Sequence, residues 1–400
     1  SNSTNNASSS ISISPTSGSV GTLVTISADS GYDLSTLSSV TVNGVAAIIV
    51  SKETGTARAL VMPGSTTGPI TATTPAGSHS ASFTITTASP IATQQGAKLI
   101  GTGNIGNSNQ GGRIAISADG NTAILGGEKD NSDQGAAWVF TRSGDTWSQQ
   151  GTKLVGTGNI GSAWQGCDVA ISADGNTVII GGSMDNSEQG AAWVFRRTGS
   201  TWAQQGGKLV GSGNVGAARQ GHSVALSADG NTALLGGWAD NSHNGAAWVF
   251  VRSGTTWVQQ GSKLVGSGNT GAAKQGIAVA LAADGNTALI GGDNDNSDGI
   301  VAHGATWVFA RSGTNWSQQG GKLVDTGYAN RAGQGRSVTL SADGNTAVIG
   351  GPEDDSYQGA AWVFVRNGTT WSQQGTKLIG TGVTGNARLG TGVSVSADGN

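Results

Sequence analysis

A chain of 400 residues has room for two or more domains, and 68 glycines with only 11% charged residues fit an all-β protein rich in turns. The formal net charge of -3 leaves no electrostatic footprint for nucleic acid or an anionic membrane, and no run of about 18 apolar residues marks a membrane span. The single cysteine, Cys167, excludes an intrachain disulfide framework, and the four histidines are scattered without metal-ligand spacing.

In chain order, residues 1–10 (SNSTNNASSS) are polar and low in complexity, which predicts a flexible lead. The opening at Ser1 without a signal peptide suits a mature secreted protein. Residues 11–87 contain no tryptophan and carry short β-rich runs at 11–14, 23–27, 40–42, 46–50, 57–62, 70–74 and 81–86. Turn signals such as Asn43-Gly44 and Pro63-Gly64 separate them, so the segment reads as a small immunoglobulin-like sandwich. The successive phrases SPTSGSVGTLVTI, VTVNGVAA and VMPGSTTGPITATTPAG resemble the IPT/TIG family of immunoglobulin-like domains over the whole of this segment. That resemblance implies a spacer or interaction module of bacterial surface proteins, with no general catalytic site. Residues 88–93 (ASPIAT) read as a short linker.

From residue 94 to residue 400 one text recurs. Its QQG signature begins at Gln94, Gln149, Gln204, Gln259, Gln318 and Gln373, a step of 55 residues that lengthens once to 59 through extra residues between Asp298 and Gly304. A fixed period of this length is a repeat architecture. Within one copy, residues 113–117 and 122–126 flank Asp119-Gly120, which reads as a tight hairpin with positive φ at both turn positions. Residues 136–141 and 146–150 flank Ser143-Gly144; closure on that pair would set Phe140 opposite Trp147 and put Trp138 and Phe140 on one face. Four antiparallel strands per repeat predict a β-propeller blade, with a solenoid as the competing architecture. Residues 94–101 read as a fourth strand without its first three, and residues 393–400 as a first strand that stops inside its turn. The expectation is five complete blades plus part of another, within an intact ring of six or seven; completion by a neighbouring molecule would instead make a polymer.

The pattern SVALSADGNTALLGG followed by GAAWVFVRSGTTW resembles the bacterial FG-GAP repeat, related to the propeller of integrin α-subunits, from residue 111 to the end. The family's Phe-Gly is Gln-Gly here, as at Gln165-Gly166, and proline of its Gly-Ala-Pro survives only at Pro352. The resemblance implies calcium in the loop after the second strand, where Asp293, Asp295 and Asp298 form the fullest set. Most of these loops carry one or two carboxylates, and an Asp with Ser two residues on is also a turn cap.

Comparison among the copies separates two faces of the disc. The turns between first and second strands and between third and fourth hardly change. The second-to-third loops and the connections between blades diverge, and there the sequence offers Trp164, Arg219, Trp238, His243, Lys274, His303, Arg331, Tyr357 and Arg388 as ligand-binding residues. No nucleophile elbow, zinc motif or phosphate-binding loop appears. The expectation is a non-catalytic extracellular or cell-surface protein that binds a glycan or protein through its variable face. The alternative is a structural subunit of an extracellular filament or surface layer.

Overall fold

The computed structural model describes residues 11–29, 32–86, 94–296, 302–325, 327 and 331–399. The lead 1–10, the linker 88–93 and Asp298 lie outside them. The chain divides into two compact units, Ser1–Thr93 and Gln94–Asn400.

The first unit contains β1 (Ile11–Ser14), β2 (Ser17–Gly18), β3 (Leu23–Ala28), β4 (Ser39–Val42), β5 (Val45–Lys52), β6 (Thr56–Leu60), β7 (Gly68–Thr74) and β8 (Gly77–Ile85). They hydrogen-bond in the order β1-β3-β6-β5-β4-β7-β8-β2. Alternation along the strands sends Val24, Ile26, Val40, Val42, Ile70 and Phe83 into one core. Asn43 and Gly44 both take positive φ (46° and 85°), so Val42 pairs with Val45 across a two-residue turn, as Asn-Gly predicts. β2 was not legible in the sequence: two residues pairing parallel with Thr84 and Ile85 carry no periodicity.

The second unit holds five four-stranded antiparallel sheets among the described residues. The first comprises β9 (Arg113–Ile116), β10 (Thr122–Gly127), β11 (Ala136–Ser143) and β12 (Thr146–Gln149), in the order β12-β11-β10-β9. The first strands of the following sheets are Asp168–Ile171, Ser223–Leu226, Ala278–Leu281 and Ser337–Leu340. Each first strand packs beside the next, and together they line a central cavity of about 550 Å³. Sheets placed radially around such an axis are the blades of a β-propeller.

One tryptophan per blade anchors the packing: Trp138, Trp193, Trp248, Trp307 and Trp362 are each 0% exposed. Burying a side chain of this size contributes on the order of 5 kcal/mol before entropy is charged. The indole N–H of Trp193 donates to the Thr157 carbonyl at 2.8 Å, tying the blade to its incoming connection. Gly156 is required beside it, because a Cβ there would meet the indole Cδ1 at 2.1 Å. In the fifth blade Asp325 stands at that place, and its carboxylate takes the indole N–H of Trp362.

Both hairpin expectations need correction in detail. The Asp119-Gly120 turn is a four-residue loop, 118–121, closed by the Ser117 N–H on the Thr122 carbonyl at 2.8 Å. Gly120 alone in it has positive φ (67°), because the Asp119 carboxylate itself accepts from the Ser117 hydroxyl (2.5 Å) and the Asn121 N–H (3.0 Å). The second hairpin closes with Ser143 opposite Thr146, so Phe140 faces Gln149 and Arg142 faces Trp147. Gly144 (φ 58°) takes the first turn position, where a type II′ turn needs positive φ, and this shifts the register. Trp138 and Phe140 do pack together in one cluster. Residues 94–101 form no strand, and in the complete copies the matching stretch 149–156 likewise leaves the fourth strand at Gln149, so the expectation of a strand there is wrong; residues 393–399 form no strand either.

The unchanging turns are consumed in joining the blades. Gln150 of the first blade accepts from Arg197 (3.1 Å) and from the Trp202 indole (2.9 Å) of the second. Arg197 also donates to Asn176 in its own first turn at 2.8 Å. Trp257, Trp316 and Trp371 repeat the bond to Gln205, Gln260 and Gln319.

Candidate functional site

The opposite face is built on a buried aspartate in each second-to-third loop. Asp185 is 1% exposed; its Oδ1 accepts the Ile160 N–H of the incoming connection at 2.7 Å, and its Oδ2 pairs with Lys208. Asp130, Asp240 and Asp295 make the same two contacts, with Lys153, Lys263 and Lys322 as the cations. Asp295 is therefore engaged by an ammonium, while Asp293 turns to Arg336 at 3.3 Å and is held above the usual carboxylate range by burial. Among the described residues no three His, Cys, Asp or Glu side chains converge, and the described part of this loop does not fit a calcium ion.

Around these latches the variable residues sit on strained backbone. Trp164, Arg219, Lys274 and Arg388 have φ of 58°, 56°, 56° and 53°, at a position where other copies place Asn109 and Gly333. Asn and Gly enter the left-handed region readily; a tryptophan, lysine or arginine there costs on the order of 1 kcal/mol. His243 and Tyr357, at the ends of the second-to-third loops, have φ of 69°. The two strained positions meet across each seam: the N–H of Trp164 donates to the Asp133 carbonyl (2.9 Å), Arg219 to Glu188 (2.8 Å), Lys274 to His243 (2.8 Å) and Arg388 to Tyr357 (2.9 Å).

Side chains then gather in pairs and clusters. The Lys129 ammonium lies 3.8 Å from the centroid of the Trp164 ring. Trp238 is flanked by Arg219 at 4.9 Å and Lys274 at 5.7 Å, stacks on His243 (5.4 Å, 18° between planes) and meets His222 edge-on at 6.0 Å. Arg219 also pairs with Glu188 at 2.7 Å. Arg388 lies 5.0 Å over Tyr357, and Arg331 pairs with Glu353. His303 stands apart at the next seam, where its carbonyl accepts the Gln334 N–H at 2.8 Å. The sequence treats Trp164 and Trp238 as exposed anchors; both are half-buried, because these cations and imidazoles pack about them.

A cavity of about 280 Å³ opens beside Trp164, with Arg113, Glu128, Arg219 and His222 on its walls. His222 also lines the central cavity with Arg113, Asp168 and Arg336. Burial first, then the three arginines, push its imidazole down to about 4, so it is neutral at pH 7. Burial raises Asp168 to about 6, although it accepts the Val224 N–H at 2.8 Å. Burial likewise pushes the Cys167 thiol up to about 11, an unreactive state. Sequence reasoning missed Lys129, Glu188 and His222, which only the cross-blade geometry brings to the tryptophans.

No protein-family model matches the chain, and no match is found among curated proteins. Among solved structures the chain is similar to a periplasmic gluconolactonase of Pseudomonas aeruginosa (16% identity, 78% of this chain and 80% of that one, TM-score 0.44). It is also similar to a putative TolB of Agrobacterium tumefaciens (14% identity, 72% and 86%, TM-score 0.42). A third similarity is to an auxiliary nutrient binding protein of Bacteroides thetaiotaomicron (12% identity, 92% and 86%, TM-score 0.37). No helix among the described residues is long and apolar enough to cross a membrane.

Proposed function

We propose that this is a secreted or cell-surface recognition protein without catalytic activity, which binds a glycan or a protein through the variable face of its propeller. The carrying observation is the set of bulky and charged residues held in left-handed backbone on that face alone. A structural role would be served by the Asn or Gly found in other copies; Trp164, Arg219 and Lys274 add side chains that the latches do not use. In this reading the first unit is an immunoglobulin-like spacer of the IPT/TIG kind and the second an FG-GAP-type propeller. The test is Trp164→Ala with Trp238→Ala, assayed on glycan and protein arrays. Lost binding with an unchanged circular dichroism spectrum is expected, and undiminished binding would refute the reading.

A second observation concerns assembly. Ile114 is 71% exposed where Val169 of the next blade is 6%, and Leu378 is 53% exposed where Leu154 is 6%. These outer sheet faces call for a further blade, which we assign to a ring of six or seven in the intact protein. A neighbouring molecule in a filament is the alternative source. Light scattering on protein from its native source separates the two: a monomer supports the closed ring, and a polymer supports the filament.

A further inference from the structure

We propose that the seam between the third and fourth blades is a subsite for an acidic sugar, the carboxylate- or sulfate-bearing unit of a polysaccharide. This rests on the recognition reading above and names its ligand class. Trp238 is the centre. The exposed His243 ring lies nearly parallel to the indole, so the seam presents imidazole over indole, a flat aromatic surface of the kind that takes the C–H face of a pyranose. Every other neighbour of that indole named above is a cation or a polar ring rather than an aliphatic side chain, which suits a hydrated ring and not an apolar peptide anchor.

The charge at the seam is unbalanced. Arg219 has Glu188 as its counter-ion. Lys274 forms no ion pair among the described residues; its ammonium lies by the Trp238 ring, and the buried Asp293, already paired with Arg336, feels its charge only from farther off. An ammonium without an anion in direct contact leaves room for a ligand carboxylate or sulfate to supply one. The Trp238 indole N–H is also buried without an acceptor, one more donor that the folded chain leaves unused at this place. The backbones of Lys274 and His243 are tied together, since the N–H of the first donates to the carbonyl of the second and both sit in left-handed conformation. The main chain of the subsite is therefore already in place, and binding orders side chains only.

The experiment measures binding of the 400-residue chain to alginate, heparin, dextran and poly-glutamate by biolayer interferometry at low and physiological salt. Binding to alginate or heparin with none to dextran is expected; alginate binding identifies carboxylate as a sufficient anion, and heparin binding without alginate binding identifies sulfate, since heparin carries both. Lys274→Ala should weaken it about tenfold and flatten its salt dependence. Trp238→Ala should weaken it further, while Asp145→Asn on the opposite face should change nothing. Equal binding to poly-glutamate would make the seam a general anion site and overturn the sugar assignment. Array binding lost in the tryptophan double variant but unchanged in Lys274→Ala would overturn this proposal and leave the recognition reading standing. Should Trp238→Ala unfold, Lys274→Ala alone decides.

Discussion

Asp185→Ala probes the latch on which the variable face is built. The carboxylate is 1% exposed and holds both the Ile160 N–H at 2.7 Å and the Lys208 ammonium, whose side chain is itself only 19% exposed. Removing one member of a buried pair costs about 3–5 kcal/mol, because the other charge is left uncompensated. The orphaned N–H adds about 1 kcal/mol, and the flexible lysine stem recovers part by carrying its ammonium toward water. A net loss of about 3 kcal/mol follows. Asp185→Leu combined with Lys208→Met removes both charges, so it should cost less than the two single changes added together, with a coupling of about 1.5 kcal/mol or more. All twelve tryptophans lie in the second unit, so guanidinium denaturation followed by tryptophan fluorescence reports on the propeller alone. An Asp185→Ala variant within about 1 kcal/mol of the parent, or a coupling near zero, would refute the argument. So would stabilisation of the parent by calcium, since a metal would then share the carboxylate that the lysine holds.

Asp168, raised from 3.8 to about 6 by burial, keeps a proton between those values that the unfolded chain has released. Its contribution to stability therefore falls as pH rises through that window, and Asp168→Asn should raise the denaturation midpoint at pH 7 but not at pH 4. His222 acts in the opposite sense: between about 4 and 6.5 the unfolded chain holds a proton that the folded chain lacks, so stability rises with pH. His222→Gln should flatten that acid-side rise in the same titration. Gln150→Ala removes the acceptor shared by Arg197 and Trp202, and a loss of about 1–3 kcal/mol should appear in fluorescence-monitored denaturation. Gly144→Ala meets no atom within 4 Å but must adopt φ 58°, so a loss of about 1 kcal/mol by the same assay isolates backbone strain.

The propeller was legible because its signal is long-range: a 55-residue period and two apolar runs per hairpin outlast local ambiguity. Asn43-Gly44 was legible as a turn, and both of its residues take the positive φ that an Asn-Gly pair accommodates. Asp119-Gly120 was not, since a carboxylate that bonds its own loop substitutes for a second positive φ, and propensity alone does not distinguish the two. Placing the turn one residue early, at Ser143-Gly144 instead of Gly144-Asp145, moved every partner in that hairpin by two residues. At the candidate site the variable positions could be found by comparing copies. Their partners could not: Lys129 and Trp164 are 35 positions apart, and only the seam between blades brings them within 3.8 Å. The left-handed backbone was hinted at by Asn109 and Gly333 in the same column as Trp164, a pattern that becomes an argument only once φ is known.

The most direct test of the account compares binding of the parent chain, Trp164→Ala with Trp238→Ala, and Asp145→Asn, on the same glycan and protein array. The tryptophan pair should lose binding while the opposite-face variant keeps it, both variants remaining folded. Binding that survives the tryptophan changes and fails with Asp145→Asn would place recognition on the uniform face and contradict the account.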